Sequence, residues 1–275
     1  MVRTVETEIP EHSKILTPDQ LAAIKLRNER AKKRYWTLKA NKPLGNFYFI
    51  PANENFEGLS PETVTRLIFL NTYLPFDDNR LMKTQRTQMK KSDLPEILNV
   101  SKSTVKRFWQ EVNGKYIVET DEGLLFTNND IFRNGKLQKR KYGTYQKFYI
   151  NAIRKLYKST DKHKHLGYIF QMLPYINFEY NIICKNPEET TLKKIEHMTL
   201  AEFCDAIHFD ISHINRLLKI YKDLTFAVND KQERFCAFVY DGLHRNKAKI
   251  FVNPHILYCG SDYKQVKILA SFCND

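Results

Sequence analysis

Nowhere in the 275 residues is there an apolar run of the roughly 18 or more residues needed to cross a bilayer. The opening stretch holds Glu6, Glu8 and Glu11 where a secretory leader has a basic end followed by an apolar one. The expectation is a soluble, cytoplasmic protein with no membrane partner. The cysteines, Cys184, Cys204, Cys236, Cys259 and Cys273, are odd in number and include no CxxC pair. That argues against a disulfide framework or a zinc site and for buried thiols acting as small apolar residues. GxGxxG, the P-loop, HExxH and GxSxG are also missing, so nucleotide, dinucleotide and hydrolase chemistry have no motif to rest on.

What the chain does hold, it holds twice. LPEILNVSKSTVKRFW, from Leu94 to Trp109, returns 109 residues later as FCDAIHFDISHINRLL, from Phe203 to Leu218. Each has an apolar pair ending in Leu98 or Ile207, a one-residue turn, an apolar turn position (Val100, Phe209), then a helix with a β-branched residue and an Arg two later (Val105 and Arg107; Ile214 and Arg216). This is helix-turn-helix spacing: Leu94, Leu98, Val100, Val105 and Phe108 pack two short helices at a steep angle. The helix beginning at Ser101, and its counterpart beginning near Ile211, are left facing outward. Upstream, RLIFLNTYLPF (Arg66 to Phe76) aligns with HLGYIFQMLPY (His165 to Tyr175) at a separation of 99; downstream, TNNDIFRNG (Thr127 to Gly135) aligns with VNPHILYCG (Val252 to Gly260) at 125. Growth confined to two places, about ten residues before the second pair of helices and about sixteen after it, marks loops on a common fold.

Each copy also opens with a Gly and a short aromatic strand, FYFI after Gly45 and YQKFYI after Gly143, and closes on an Asn-containing segment ending in Gly. In that order of parts the chain resembles the winged-helix RepL-type replication proteins of plasmids and phages, and VNPHILYCG is similar to their closing motif. The resemblance covers roughly residues 45 to 135 and 143 to 265. It departs in Asn129 standing where the second copy has Pro254, and in the tandem pairing of modules. The fold class expected is mainly α with small β-hairpins (α+β), as two tandem winged helix-turn-helix domains. Residues 1–44 form an N-terminal segment with a basic amphipathic helix, 45–135 the first domain, 136–144 a basic linker and 145–275 the second domain.

The net charge of +13 is uneven. Residues 1–45 have 10 basic against 5 acidic side chains and 136–165 have 10 against 1, while 46–135 have 11 against 12 and 166–275 have 13 against 13. Cationic segments beside neutral modules suit phosphate contacts flanking elements that read bases; a solvated charged surface is the plain alternative. Thr17, Pro18 and Gln20 predict a helix start, followed by an apolar stripe of Leu21, Ile24, Asn28, Ala31, Tyr35 and Leu38. That helix either docks on a module or pairs with the same helix of a second chain to make a homodimer.

The candidate DNA-binding residues fall in four groups. The first reading helix offers Lys102, Ser103, Thr104, Lys106 and Arg107; the second offers Ser212, His213, Asn215, Arg216 and Lys219. Arg and Lys suit guanine and Asn suits adenine, so the two half-sites should differ, unless either Arg holds a phosphate or an intramolecular carboxylate. Lys139, Arg140 and Lys141 in the connector can follow a phosphate backbone or enter a minor groove. Arg245 and Lys247 tip the second hairpin, between FCAFVY and IFVN, whereas the first turns through Glu119, Asp121 and Glu122, a tip that phosphates repel. His163 and His165, the one close histidine pair, have Lys164 between them where nicking enzymes place an apolar residue. No catalytic residue, metal or cofactor is expected. The partner expected is double-stranded DNA, with replication initiation implied by the resemblance and contact with replication or transcription machinery following from it. Transcriptional regulation needs the same chemistry, and a protein-interaction scaffold with degenerate winged helices is the third reading.

Overall fold

The computed structural model describes residues 17–137, 144–228, 231–240, 248–266 and 269–273, a mixture of helices and short antiparallel strands of the α+β class. The helix α1 (Pro18–Asn41) starts as its sequence predicts: the Thr17 side chain accepts from the Gln20 amide at 3.2 Å, and the Gln20 side chain accepts from the Thr17 amide at 3.0 Å. It does not dock along its stripe. Leu21 and Tyr35 keep 54% and 58% of their surface exposed, and Leu26 and Trp36, off the stripe, are exposed too. With Lys25, Arg27, Arg30 and Lys32 spread around it, α1 has no continuous apolar face to bury. Its anchor is its C-terminal end, where Asn41 donates to the carbonyls of Gly260 and Ser261 and accepts from the Tyr263 amide. Leu44, just beyond, is buried.

The two repeats meet through equivalent elements. Strands β1 (Phe47–Pro51) and β4 (Tyr145–Tyr149) lie 98 residues apart in the chain and pair antiparallel, with Phe47 opposite Tyr149 and Pro51 opposite Tyr145. The middle pair, Phe49 opposite Lys147, joins a residue to its own counterpart. Outside it the pattern repeats. Phe49 bridges Arg133 on one edge, and Lys147 pairs with Tyr258 of β9 (Leu257–Tyr258) on the other; Arg133 and Tyr258 are 125 apart, the separation of the closing segments. The helices α2 (Pro61–Leu70) and α6 (His163–Gln171) also cross antiparallel: Thr65 Oγ1 donates to the His163 carbonyl, and Gln171 Nε2 to that of Leu59. Gly167 comes so close that a Cβ there would sit 1.8 Å from the Pro61 carbonyl oxygen. An approximate two-fold axis therefore runs through the strand pair and the helix pair. Tyr48, Leu67, Ile68, Phe148, Leu166 and Phe170 belong to one core shared by both repeats.

Away from that axis each repeat carries the same series. The first has α3 (Leu94–Leu98), α4 (Lys102–Val112) and a hairpin of β2 (Ile117–Glu119) with β3 (Leu125–Thr127). The second has α7 (Leu200–Ala206), α8 (Ile214–Asp223) and a hairpin of β7 (Cys236–Val239) with β8 (Lys249–Val252). Both close on one turn: Asn128 and Asn253 each accept, through the side-chain oxygen, the amide two residues on (Asp130 at 3.0 Å, His255 at 2.9 Å). The second repeat adds α5 (Ile150–Ser159), with Ile153 and Leu156 turned inward, and a hairpin of β5 (Thr225–Val228) with β6 (Lys231–Arg234) between α8 and β7. That hairpin lies within the later insertion, to which the sequence alone assigned no structure.

Candidate nucleic-acid interface

The helical pairs are built by the residues the spacing singled out. Leu94, Leu98, Val105 and Phe108 are buried, as are Phe203, Ile207, Leu217 and Leu218 in the second pair, while Ile214, the counterpart of Val105, and the turn residues Val100 and Phe209 are half-buried. Each turn passes through one left-handed residue, Asn99 at φ 50° and His208 at φ 51°, at the repeat separation of 109. Asn and His are both among the non-glycine side chains enriched in that conformation. The next turn is capped at equivalent positions too. Ser101 accepts from the Thr104 amide at 3.2 Å, and Asp210 from the Ser212 amide at 2.9 Å.

The two elements begin differently. After Asp210, residues Ile211–His213 form a 3-10 turn, and α8 proper begins at Ile214. Ser212 and His213 therefore lie on an exposed turn ahead of the helix, with Asn215, Arg216 and Lys219 exposed along α8. On α4, Lys102, Ser103, Lys106 and Arg107 are exposed and Thr104 is half-buried. The Ser103 and Thr104 hydroxyls share the Ser101 Oγ, at 2.9 and 3.0 Å. The sequence did not identify Asp210 as a cap, although the 109-residue alignment sets it opposite Ser101.

Some lysines near these helices are held by carboxylates. Lys83 binds Asp93 and Glu96 at 3.0 and 2.9 Å, Lys91 binds Glu119 at 3.6 Å, and Lys185 binds Glu202. Among the described residues, Lys102, Lys106, Arg107, Arg216 and Lys219 make no ion pair, so no carboxylate of those residues holds Arg107 or Arg216. The acidic first hairpin is partly neutralised by the Lys91 pair, and Lys91 lies 4.5 Å over the Trp109 ring of α4. Lys139, Arg140 and Lys141 of the connector, and Arg245 and Lys247 of the second hairpin, fall outside the described residues.

The remaining chemistry-bearing groups sit in packed surroundings. His163 stacks on Tyr157 at 4.0 Å, and Tyr157 on Phe69 at 3.9 Å; burial lowers the pKa of His163, and burial together with Lys162 and Lys164 lowers that of His165. Among the described residues no three His, Cys, Asp or Glu side chains come together as a metal site would require. Cys184, Cys204 and Cys236 are buried free thiols, and Cys259 and Cys273 half-buried ones. Burial pushes Cys184 up to about 11 and Cys259 up to about 12. In the second repeat Glu233 accepts from Asn253 at 2.8 Å and contacts His255 Nδ1 at 2.7 Å. Burial pushes its carboxyl up, but these two partners outweigh burial and hold it below its ordinary value. No described helix is long and apolar enough to cross a membrane. No protein-family model, curated protein or solved structure matches the chain.

Proposed function

We propose that this protein binds double-stranded DNA in a sequence-specific manner, reading two half-sites with α4 and α8 as the recognition helices of two winged helix-turn-helix modules. The observation that carries this is the repeated pair of outward helices, on which Lys102, Lys106, Arg107, Arg216, Lys219 and Lys222 are exposed and make no ion pair among the described residues. Arg107 and Arg216 suit guanine O6 and N7, Asn215 suits adenine, and Lys102, Lys106 and Lys219 suit phosphate or guanine. Ser212 and His213, on the turn leading into α8, suit the sugar–phosphate edge, as do Ser103 and Thr104 at the start of α4. Lys139, Arg140, Lys141, Arg245 and Lys247, outside the described residues, are further cations suited to phosphate.

Replication initiation is the role the resemblance to RepL-type proteins implies, and regulation of transcription requires the same recognition. Gel-shift and footprinting with duplexes from the gene and its flanks test the reading. Iterated sites inside the coding region support initiation, and a site at a promoter supports regulation. No protected sequence anywhere overturns DNA reading and leaves the interaction scaffold. With five to eight phosphate contacts, the logarithm of affinity should fall against the logarithm of salt with a slope of roughly −4 to −7. Neutralising Lys139, Arg140 and Lys141 should flatten that slope without changing preference among sequences; an unchanged slope removes the connector from the interface.

A further inference from the structure

The two-fold relation between the repeats constrains the DNA they can read together. Tandem copies stacked by translation would set equivalent elements parallel. Here β1 and β4 are antiparallel and centred on the self-equivalent pair Phe49 and Lys147, and α2 and α6 are antiparallel and cross near Thr65 and His163. The outer bridges, Arg133 to Phe49 and Tyr258 to Lys147, obey the same symmetry. The readers inherit it, because α4 packs on α2 and α8 on α6. A two-fold that reverses α2 onto α6 therefore reverses α4 onto α8, and a duplex contacted by both helices must present its half-sites related by a local dyad.

Distance selects the spacing. From α4 through α2 and α6 to α8 there are three helix-to-helix contacts of about 8–10 Å each, which sets the outer axes on the order of 30 Å apart, with the ends of α4 and α8 free to lie a few ångströms further apart. One duplex turn, about 34 Å, is commensurate with that span, and two turns are not. The half-sites cannot be identical, since α4 presents Lys106 and Arg107 where α8 presents Asn215 and Arg216.

Resting on the DNA-reading function, we propose that the target is an imperfect inverted repeat with half-site centres about one helical turn apart, bound by a single chain. The dyad that a homodimer would supply is built into one polypeptide, which frees the two half-sites to differ.

Selection of full-length protein on a random duplex library tests this. The expected result is a motif of two unequal half-sites, inverted, with centres about 10–11 base pairs apart. In the selected duplex, reversing one half-site in place should weaken binding about tenfold or more, because several base contacts are then mismatched. Repeating the selection with K106A/R107A and with N215A/R216A should erase information from opposite halves of the motif. A direct repeat, an inverted repeat at two-turn spacing, or a motif with one half-site alone overturns the inference while leaving DNA reading intact. Failure to enrich any sequence overturns the DNA reading itself, and this inference with it.

Discussion

In the first repeat β1 leads through a loop to α2; in the second, β4 runs straight into α5 before α6 begins. Ser101 caps α4, but Asp210 caps a 3-10 turn ahead of α8. One hairpin follows α4 and two follow α8. Strand register, helix crossing and the Asn128 and Asn253 closing turns are kept across these differences, and the one addition that meets the axis, α5, lies against the outside of α2, with Tyr157 stacked on Phe69 at 3.9 Å. Surfaces that must fit each other across an axis tolerate little change, because a shift on one side needs a matching shift on the other. Loops facing away carry no such coupling, and additions accumulate there.

If the axis is the constrained region, the largest effects of substitution belong to it. Gly167 has no room for a methyl group against the Pro61 carbonyl, and the obstacle is backbone. G167A should destabilise the protein by about 3 kcal/mol, the upper end of overpacking. The preference of about 1 kcal/mol for Ala over Gly in a helix is too small to offset it. Ile68, the aligned position in the first repeat, is fully buried, and I68A should cost about 2–5 kcal/mol. Urea denaturation measures both. A G167A variant as stable as the parent would mean that the crossing can widen without cost.

Affinity for DNA sharpens the comparison from the outer side. N215A/R216A should cost about 1–3 kcal/mol for each base interaction removed. K106A/R107A should cost less, because the first hairpin turns through Asp121 and Glu122 and holds its module less firmly against phosphate. Titration by fluorescence anisotropy against one footprinted site ranks them. Should the α4 pair be the more damaging, the first repeat is the dominant reader and the second the partner-facing one.

The second repeat also carries a pH-sensitive tie that the first lacks. Asn253 donates to Glu233, whereas its counterpart Asn128 donates to the Lys115 carbonyl. The Glu233 carboxyl is held below its ordinary value, so its contribution is fully present above the unfolded carboxylate pKa of about 4.3. It is lost as pH falls through the folded value. E233Q should therefore melt below the parent at pH 7, with the gap closing as the solution is taken below about pH 4. A gap that stays constant down to pH 3 would mean that charge at this position is immaterial.

How much of this was legible in the sequence depended on whether local pattern or global geometry set it. The helical pairs, the α1 cap and the 109-residue correspondence follow from apolar spacing and capping chemistry, and these act within a few residues. The two-fold axis does not: no local preference says that Phe49 meets Lys147 rather than another strand. The β5–β6 hairpin was hidden because FAV and KQER carry no strong alternation. Docking of α1 was expected from its stripe and is absent because Leu26 and Trp36 lie off it and cations surround it. For the interface, the exposed residues of α4 and α8 were readable as a set. Their lack of acidic partners among the described residues required the structure.

Equivalent caps of unlike charge allow a smaller test. Asp210 is exposed at the start of the second reading element and stays ionised, its pKa lowered by the Ser212 amide. If the proposed DNA reading holds, a carboxylate there would face phosphates, whereas Ser101 in the first repeat brings no charge. D210S preserves capping ability, since Ser and Asp are comparable N-caps. It should improve DNA affinity by about 0.3–1 kcal/mol at low salt, the range for one charge at a helix end, with the gain shrinking at high salt. S101D should do the reverse. Unchanged affinity in both would place the caps away from the phosphates.

The least effect is expected at α1, outside the repeats altogether. Were α1 to pair in parallel with a second copy along Leu21, Ile24, Asn28 and Ala31, Arg27 of one chain would face Lys32 of the other across the seam, like charge against like. The seam is also short, and the dyad that would otherwise call for a second chain is filled within one. L21S/I24S should leave stability within about 0.5 kcal/mol, as for exposed positions generally, and the mass by light scattering should be that of one chain for both proteins. A parent mass of two chains that falls to one in L21S/I24S would show that α1 pairs despite its charge. Four reading helices would then meet the DNA, and the internal two-fold would be one of two axes in the assembly.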